Sequence, residues 1–164
     1  MIRLVVLSDT HVRPGGSRRL PDAAYAELVT ADLVLHAGDV VEMELLDELS
    51  GFAPVHAVLG NNDRSLVGRL PERHELDVDG VRIGMVHDSG TTAGRPARMR
   101  RWFPDADVVV FGHSHVPVDE EGVGGQRLFN PGSATERRRQ PSHSLGVLEV
   151  RDGAVVDHRI VLLD

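Results

Sequence analysis

Seven side chains able to hold a metal ion or move a proton stand directly after apolar runs in this sequence. They are Asp9 and His11 after Ile2–Leu7, Asp39 after Leu33–Leu35, Asn61 after Val55–Leu59, His87 after Val81–Val86, and His113 with His115 after Val108–Phe111. Singly, none is informative, because Asp and Asn commonly form turns and caps and a lone histidine is usually structural. As a set they place seven oxygen or nitrogen donors at the ends of five expected strands. Asp9/His11 and His113/His115 are spaced i, i+2, and on an extended segment such residues point to the same side, so each pair is expected to converge on one site. Seven such donors match a two-metal centre, with its ions roughly 3.5–4 Å apart and one carboxylate shared. The chain has no cysteine, so any metal must be held by oxygen and imidazole. That donor set suits Mn²⁺, Fe²⁺, Ni²⁺ or Zn²⁺ and does not choose among them.

The elements that must position these donors follow from the apolar pattern. Ile2–Leu7, Leu33–Leu35 and Val55–Leu59 read as buried strands. Between them lie two helical patterns: Asp22–Val29, with Pro21 near its start, and Glu42–Leu49, closed by Gly51. Strand–helix alternation of this kind predicts parallel strands, and chemistry then gathers beyond their carboxyl ends. Further on, His74–Val78 and Val81–Val86 flank Asp79-Gly80, and Leu145–Val150 and Ala154–Leu163 flank Asp152-Gly153; both are hairpin signals. Pro96–Phe103 reads as an Arg-rich helix, Val108–Phe111 as another buried strand, and Leu128-Phe129 leads into Asn130-Pro131-Gly132-Ser133.

The 164 residues, 41% hydrophobic and 26% charged, fit one soluble domain over 1–164. No apolar run suits a signal peptide or a membrane span, so the expected location is the cytoplasm, with no membrane partner. All 18 basic residues are arginine, which excludes lysine chemistry such as a Schiff base or a P-loop. A net charge of -7 disfavours nucleic acid as a partner. Acting on phosphate would then require local positive charge, which metal ions supply.

Ser8-Asp9-Thr10-His11, Gly38-Asp39, Gly60-Asn61-Asn62-Asp63, His87 and Gly112-His113-Ser114-His115 resemble, in order, the motif series of the calcineurin-like metallophosphoesterases. The short length and the Asn130–Ser133 loop look most like the small prokaryotic phosphodiesterase branch, which is similar in fold to a retromer subunit. The resemblance implies an α/β four-layer sandwich of two mixed β-sheets flanked by α-helices. It implies that Asp9, His11, Asp39 and His115 hold one divalent ion, and that Asp39, Asn61, His87 and His113 hold the other, with Asp39 bridging. Mn²⁺ is the first expectation, and Ni²⁺, Fe²⁺ or Zn²⁺ are alternatives. Asp39, Asn61 and His87 are also assigned to catalysis. A hydroxide between the metals would attack a small phosphoester, best a phosphodiester. A homodimer is also open.

Two positions depart from the family pattern. Many relatives carry a histidine, able to protonate the leaving group, where this chain has Asn62. General-acid help is typically worth ~10²–10⁴-fold, so good leaving groups, as in aryl phosphodiesters, are expected to be preferred. Asp88 stands where glycine is usual. It could repel dianionic monoesters or point away, and the second is preferred. The competing functions are a non-catalytic protein-interaction module, a phosphomonoesterase and a cyclic-nucleotide phosphodiesterase.

The remaining candidates have plainer readings. His36 is either a partner to a ligand carboxylate or a core histidine. Asp63 steadies the turn, and Asn130 and Ser133 support the Gly112–His115 loop. His56 is a strand position without chemistry, and His74, His143 and His158 are surface or hairpin positions. Arg13, Arg64 and Arg95 could each reach a substrate, though each is by default a surface arginine. Trp102 and Phe103 anchor their helix, in preference to forming a stacking platform with Arg98, Arg100 and Arg101.

Overall fold

The first strand, β1 (Ile2–Leu7), alternates its burial between two cores: Leu4 and Val6 enter one apolar cluster, Val5 and Leu7 another. Period-two alternation of this kind, apolar on both faces, requires cover on both sides. The computed structural model, which describes residues Met1–Asp164, shows how it is supplied.

The elements following β1 are α1 (Asp22–Leu28), β2 (Leu33–His36), α2 (Met43–Ser50), β3 (Val55–Ala57), β4 (Arg73–Val78), β5 (Val81–Val86), α3 (Arg95–Trp102), β6 (Val108–Val110), β7 (Val118–Glu121), β8 (Arg127–Asn130), β9 (Ser144–Arg151) and β10 (Ala154–Leu162). They form two five-stranded sheets, in the orders β10-β9-β1-β2-β3 and β4-β5-β6-β8-β7. In the first sheet β1, β2 and β3 are parallel, while β9 and β10 run antiparallel. In the second, β5, β6 and β8 are parallel, with β4 and β7 as antiparallel edges. Both sheets are mixed.

Three apolar clusters separate four layers. One joins α1 and α2 to the first sheet, through Ala24, Leu28, Leu45 and Leu49 against Val5, Val34 and Val147. A second fills the space between the sheets, with Leu4, Val6, Leu35 and Leu148 against Ile83, Met85, Val110 and Phe129. The third seats α3 on the outer face of the second sheet, where Met99 and Phe103 meet Val109 and Leu128. The four-layer α/β sandwich expected from the motif series is therefore the fold observed.

Both hairpins turn where expected. Asp79 and Gly80 (φ 50° and 84°), like Asp152 and Gly153 (φ 51° and 77°), adopt the left-handed backbone that a tight two-residue turn requires. Strand β7 was not anticipated. Its sequence Val-Asp-Glu-Glu is polar because it is an exposed edge, and polar side chains there blunt further strand pairing. Strand β3 is shorter than the apolar run Val55–Leu59, because the chain leaves the sheet at Val58 to approach the site. Gly51 follows α2 in right-handed geometry (φ −70°), so it closes the helix without the left-handed turn that glycine permits.

Histidines staple both edges of the sandwich from the strand and hairpin positions expected of them. His56 of β3 and His74 of β4 share a hydrogen bond between Nδ1 and Nε2 of 3.0 Å with their rings stacked. At the opposite edge His158 of β10 donates to Asp119 of β7 at 2.7 Å.

Phe129 is fully buried between the sheets, and its ring occupies the space that a side chain on Gly146 would need. Phe129→Ala is expected to lower the unfolding free energy by about 3–5 kcal/mol, read as a lower midpoint in urea unfolding of the metal-free protein.

Candidate metal centre

The carboxyl ends of β1, β2 and β3 from one sheet, and of β5 and β6 from the other, open into the same edge of the sandwich. Loops from these strands are tied to one another through the backbone. Asp9 N–H donates to the Gly38 carbonyl at 2.9 Å, His11 N–H to the Asp39 carbonyl at 3.0 Å, and Gly112 N–H to the His87 carbonyl at 2.9 Å.

All seven donors singled out in the sequence meet there, but not by the extended geometry expected for the i, i+2 pairs. Asp9, His11, Asp39, His113 and His115 all have left-handed backbone, with φ between 47° and 72°. Such conformations cost L-residues of order 1–2 kcal/mol each and gather at functional sites. The turn they impose sends Asp9 and His11 into one group. It splits His113 from His115, whose side chains approach different partners.

In the first group Asp9, His11 and His115 each offer a donor atom within 4.8 Å of the others. In the second, Asp9, Asp39 and His87 do the same. Asn61 Oδ1 closes the second group, 3.0 Å from His87 Nε2 and 3.2 Å from His113 Nδ1. The two groups share Asp9 by proximity. Asp39 also touches both: its Oδ2 lies 3.5 Å from His11 Nε2 and 3.5 Å from His87 Nε2.

The fit to metal ions rests on atoms left bare. Asp9 Oδ1, His11 Nε2 and His115 Nε2 are buried and hydrogen-bond to nothing. A buried polar atom without a partner costs ~1–3 kcal/mol, and here three face one another. A divalent cation would satisfy all three. Tautomers are set to match: the His87 Nδ1–H donates to the Ala37 carbonyl at 2.7 Å and the His115 Nδ1–H to the Glu136 carbonyl at 2.6 Å. Each ring therefore turns its Nε2 lone pair inward, the arrangement by which outer contacts orient metal-binding imidazoles.

The charged groups perturb one another. Burial pushes the Asp9 carboxyl up, opposed by His87, the Ser8 hydroxyl and His115. Burial also works against the Asp39 carboxylate, but His87 and the backbone and side-chain N–H groups of Asn62 outweigh it and hold Asp39 well below the usual range. For His87, burial disfavours the charged ring, yet Asp39, Asp9 and the Ala37 carbonyl raise it overall. Burial lowers His11 despite Asp39, Glu136 and Asp9 nearby.

Around these donors lies a shell of positioning groups. Asp63 is buried and accepts three backbone N–H groups: from Asp39 at 3.0 Å, Val41 at 2.6 Å and Gly60 at 2.7 Å. Its structural role is as expected. His36 contacts neither ligand carboxylate. It accepts from Gly38 N–H at 3.2 Å and meets the Thr10 hydroxyl at 2.9 Å, locking two ligand loops together. Asn130 supports the Gly112–His115 loop through the Gly112 carbonyl. Ser133, expected to do the same, donates instead to the Asp9 carbonyl at 2.8 Å, because the chain after Gly132 turns toward β1.

Asn62 is more than a missing histidine. Its backbone and side-chain N–H groups grip both oxygens of Asp39, at 2.9 and 2.8 Å. Asp88 does not simply point away. Oδ1 holds the Gly90 N–H, while Oδ2 stands 4.0 Å from His113 Nε2. Arg13 and Arg64 line a groove beside Asn62. Arg95 does not reach the site, being buried with its Nε–H on Ser89 Oγ and its guanidinium over Phe111. Glu136 was missed in the sequence. Its carbonyl orients His115, and its carboxylate lies 3.7 Å from His11 Nε2. The only signal for it was position, three residues beyond the Asn130–Ser133 loop.

Known proteins share this chain's family and fold. Residues 2–153 match the calcineurin-like phosphoesterase superfamily domain. The chain is 34% identical over 158 residues to a probable metallophosphoesterase of Methanothermobacter thermautotrophicus, covering 95% of this chain and 90% of the relative. It superposes on wild-type Vps29 complexed with Zn²⁺ from Entamoeba histolytica with a TM-score of 0.77 at 27% identity, over 99% of this chain and 100% of that one. An archaeal phosphodiesterase shares the fold, with a TM-score of 0.72 at 20% identity, over 99% of this chain and all of the other.

Close approach makes two glycines of the motifs indispensable. A Cβ on Gly60 would lie 2.2 Å from Asp39 N, and one on Gly112 would lie 1.9 Å from Ser8 Oγ and 2.7 Å from Asp9 Oδ2. Gly112→Ala is expected to weaken divalent-metal binding by at least about tenfold, the scale seen when outer contacts of ligands are disturbed, measured by competition with a chelating indicator. A second prediction concerns pH. Burial, with His87 and His11 nearby, pushes His36 from 6.5 down to about 3. Between these values the unfolded chain binds the proton and the folded one does not, so stability rises with pH across that window and is lost as pH falls through it. In metal-free protein, His36→Gln is expected to flatten this dependence by up to about 1.4 kcal/mol per pH unit, measured by denaturant unfolding from pH 7 to pH 4.

Proposed function

Because the chain belongs to the calcineurin-like phosphoesterase superfamily, we propose that it hydrolyses small phosphodiesters, using two divalent ions held by the seven converging donors. The observation that carries this reading is the trio of bare, buried atoms on Asp9, His11 and His115, adjoining the Asp39–His87–Asn61 group. A protein with no use for a cation has no reason to desolvate three such atoms at one point.

Asp9, His11, Asp39 and His115 would hold one ion. Asp39, Asn61, His87 and His113 would hold the other, with Asp39 shared. Bound there, the ions would acidify water for attack on phosphorus, neutralise the phosphate and stabilise developing negative charge. Mn²⁺ is the first candidate, with Ni²⁺, Fe²⁺ and Zn²⁺ as alternatives. Asn62 keeps the Asp39 carboxylate fixed and charged, while the Ala37 and Glu136 carbonyls keep His87 and His115 turned inward. Arg13 and Arg64 flank the opening and complement an anionic ester.

Where many relatives carry a histidine, Asn62 supplies no proton to a leaving alkoxide. Asn62 spends its side-chain N–H on Asp39 and carries no acidic proton near neutral pH. The leaving group must therefore depart as its own anion, which favours aryl esters. Asp88, close to His113, adds negative charge that disfavours dianionic monoesters. Diesters are thus preferred over monoesters.

The test is a metal-resolved assay. With Mn²⁺, bis(p-nitrophenyl) phosphate is expected to turn over, and Asp39→Asn and His113→Ala are each expected to lose at least ~10²-fold in kcat, comparable to losing a strong electrostatic stabiliser. Full activity in Asp39→Asn would refute its bridging role. Inactivity with every one of the four metals, with metal demonstrably bound, would favour the protein-interaction module instead. Alkyl phosphodiesters are expected to react at least ~10²-fold more slowly than aryl ones, and Asn62→His to narrow that gap; equal rates with chemistry limiting would refute the absence of an acid.

A further inference from the structure

We infer that the groove running from Asn61 and His87 to Trp102 binds a planar aromatic group of the substrate, so that the preferred phosphodiester carries an aryl or nucleobase substituent. This rests on the phosphodiesterase reading above and specifies which diester the site takes.

The groove begins at the metal centre, because Asn61 and His87 form part of its wall. Among its polar and charged residues the wall also carries the apolar side chains of Leu59, Val67, Val86 and Trp102. Val67 is 68% exposed, a large β-branched side chain held open to solvent in a short loop. Trp102 packs against the core cluster under α3 beside buried Phe103, as expected, yet stays half buried, so part of its surface remains open to the groove. The arginines of α3 do not form a platform with it. Arg98 donates to the Ser89 carbonyl and Arg100 to the Val123 and Pro104 carbonyls.

The partner of Trp102 is Arg73 of β4, whose guanidinium carbon lies 4.0 Å from the indole centroid. Arg73 makes no ion pair, and so presents a flat cation stacked on an aromatic face in the groove wall. Planar ligands bind such surfaces by stacking on arginine and indole alike. Arg64, also on the groove wall and also without an ion pair, complements a single negative charge in the groove. Glu72 and Asp88 border the same groove and oppose a second charge. An ester with one anionic phosphate and one flat apolar group fits all of these features. A dimethyl ester would leave that aromatic face unused.

Trp102 is the sole tryptophan, so it reports on its own groove. The Zn²⁺-loaded protein is titrated with diphenylphosphinate and dimethylphosphinate, monoanions that mimic a diester but lack a hydrolysable P–O ester bond. Binding is followed by tryptophan fluorescence and by calorimetry. Diphenylphosphinate is expected to change Trp102 emission saturably and to bind roughly tenfold more tightly than dimethylphosphinate, the scale of one stacking contact. In Trp102→Leu, calorimetry is expected to show that advantage lost while dimethylphosphinate affinity is unchanged. A phosphorothioate analogue of adenosine 3′,5′-cyclic phosphate distinguishes a nucleobase from a simple aryl ring; tighter binding than dimethylphosphinate by either planar ligand supports the inference. Equal affinity for all three, with no change in emission, overturns the aromatic subsite while leaving the phosphodiesterase reading intact. Failure of every phosphinate to bind, together with no diester hydrolysis, overturns both.

Discussion

One buried carboxylate holds the working end of this molecule in shape. Asp63 accepts the backbone N–H groups of Asp39, Val41 and Gly60, and thereby fixes two loops from different strands against each other. Both Asp39 and Val41 have left-handed backbone, and for β-branched Val41 at φ 82° that is a true outlier. The strain persists because relaxing it would break a buried hydrogen bond: releasing Val41 would take away the backbone donor on Asp63 Oδ1, and releasing Asp39 one of the two on Oδ2. From this contact follow the placement of Asp39, the approach of Gly60 beneath it, and the direction in which Asn61 and Asn62 leave β3.

The metal centre is thus built on stability given up locally and recovered in the layers beneath. Five of the seven candidate ligands occupy unfavourable backbone regions, and three of their donor atoms lack partners. Cores on both faces of the first sheet and on both faces of the second support them. Rigid strands carry the ligands to within a turn of the site, and short loops make the final turn. That division suits a centre in which displacements of an ångström would separate donors meant to share an ion.

Electrostatics divide the opening in two. The chain is acidic overall, with net charge -7, and its buried carboxylates would repel a phosphate on their own. Cations bound by those carboxylates would reverse the sign locally. Arginines complete the reversal at the rim, where Arg13, Arg64 and Arg73 have no acidic partners, whereas most other arginines are spent on carbonyls or ion pairs. Asp88 and Glu72 keep part of the groove wall negative.

Much of this was legible in the chain itself. Apolar runs ending in Asp, His or Asn mark the carboxyl ends of parallel strands, because a buried strand must be continuously apolar and its end must be polar where it meets water. Asp-Gly pairs fix both hairpins, because few residues accept left-handed backbone twice in succession. Strand β7 was invisible because its Val-Asp-Glu-Glu sequence carries no apolar run or alternation to mark a strand. Only the tertiary structure decided the rest. It shows that His113 and His115 part company, that Ser133 serves the Asp9 loop, that Glu136 stands beside His11, and that His56 meets His74 across two sheets. Contacts of this kind join residues far apart in sequence, or depend on a backbone turn at a single residue. Local composition carries no record of either, since the energy that selects them arises only once the layers have packed.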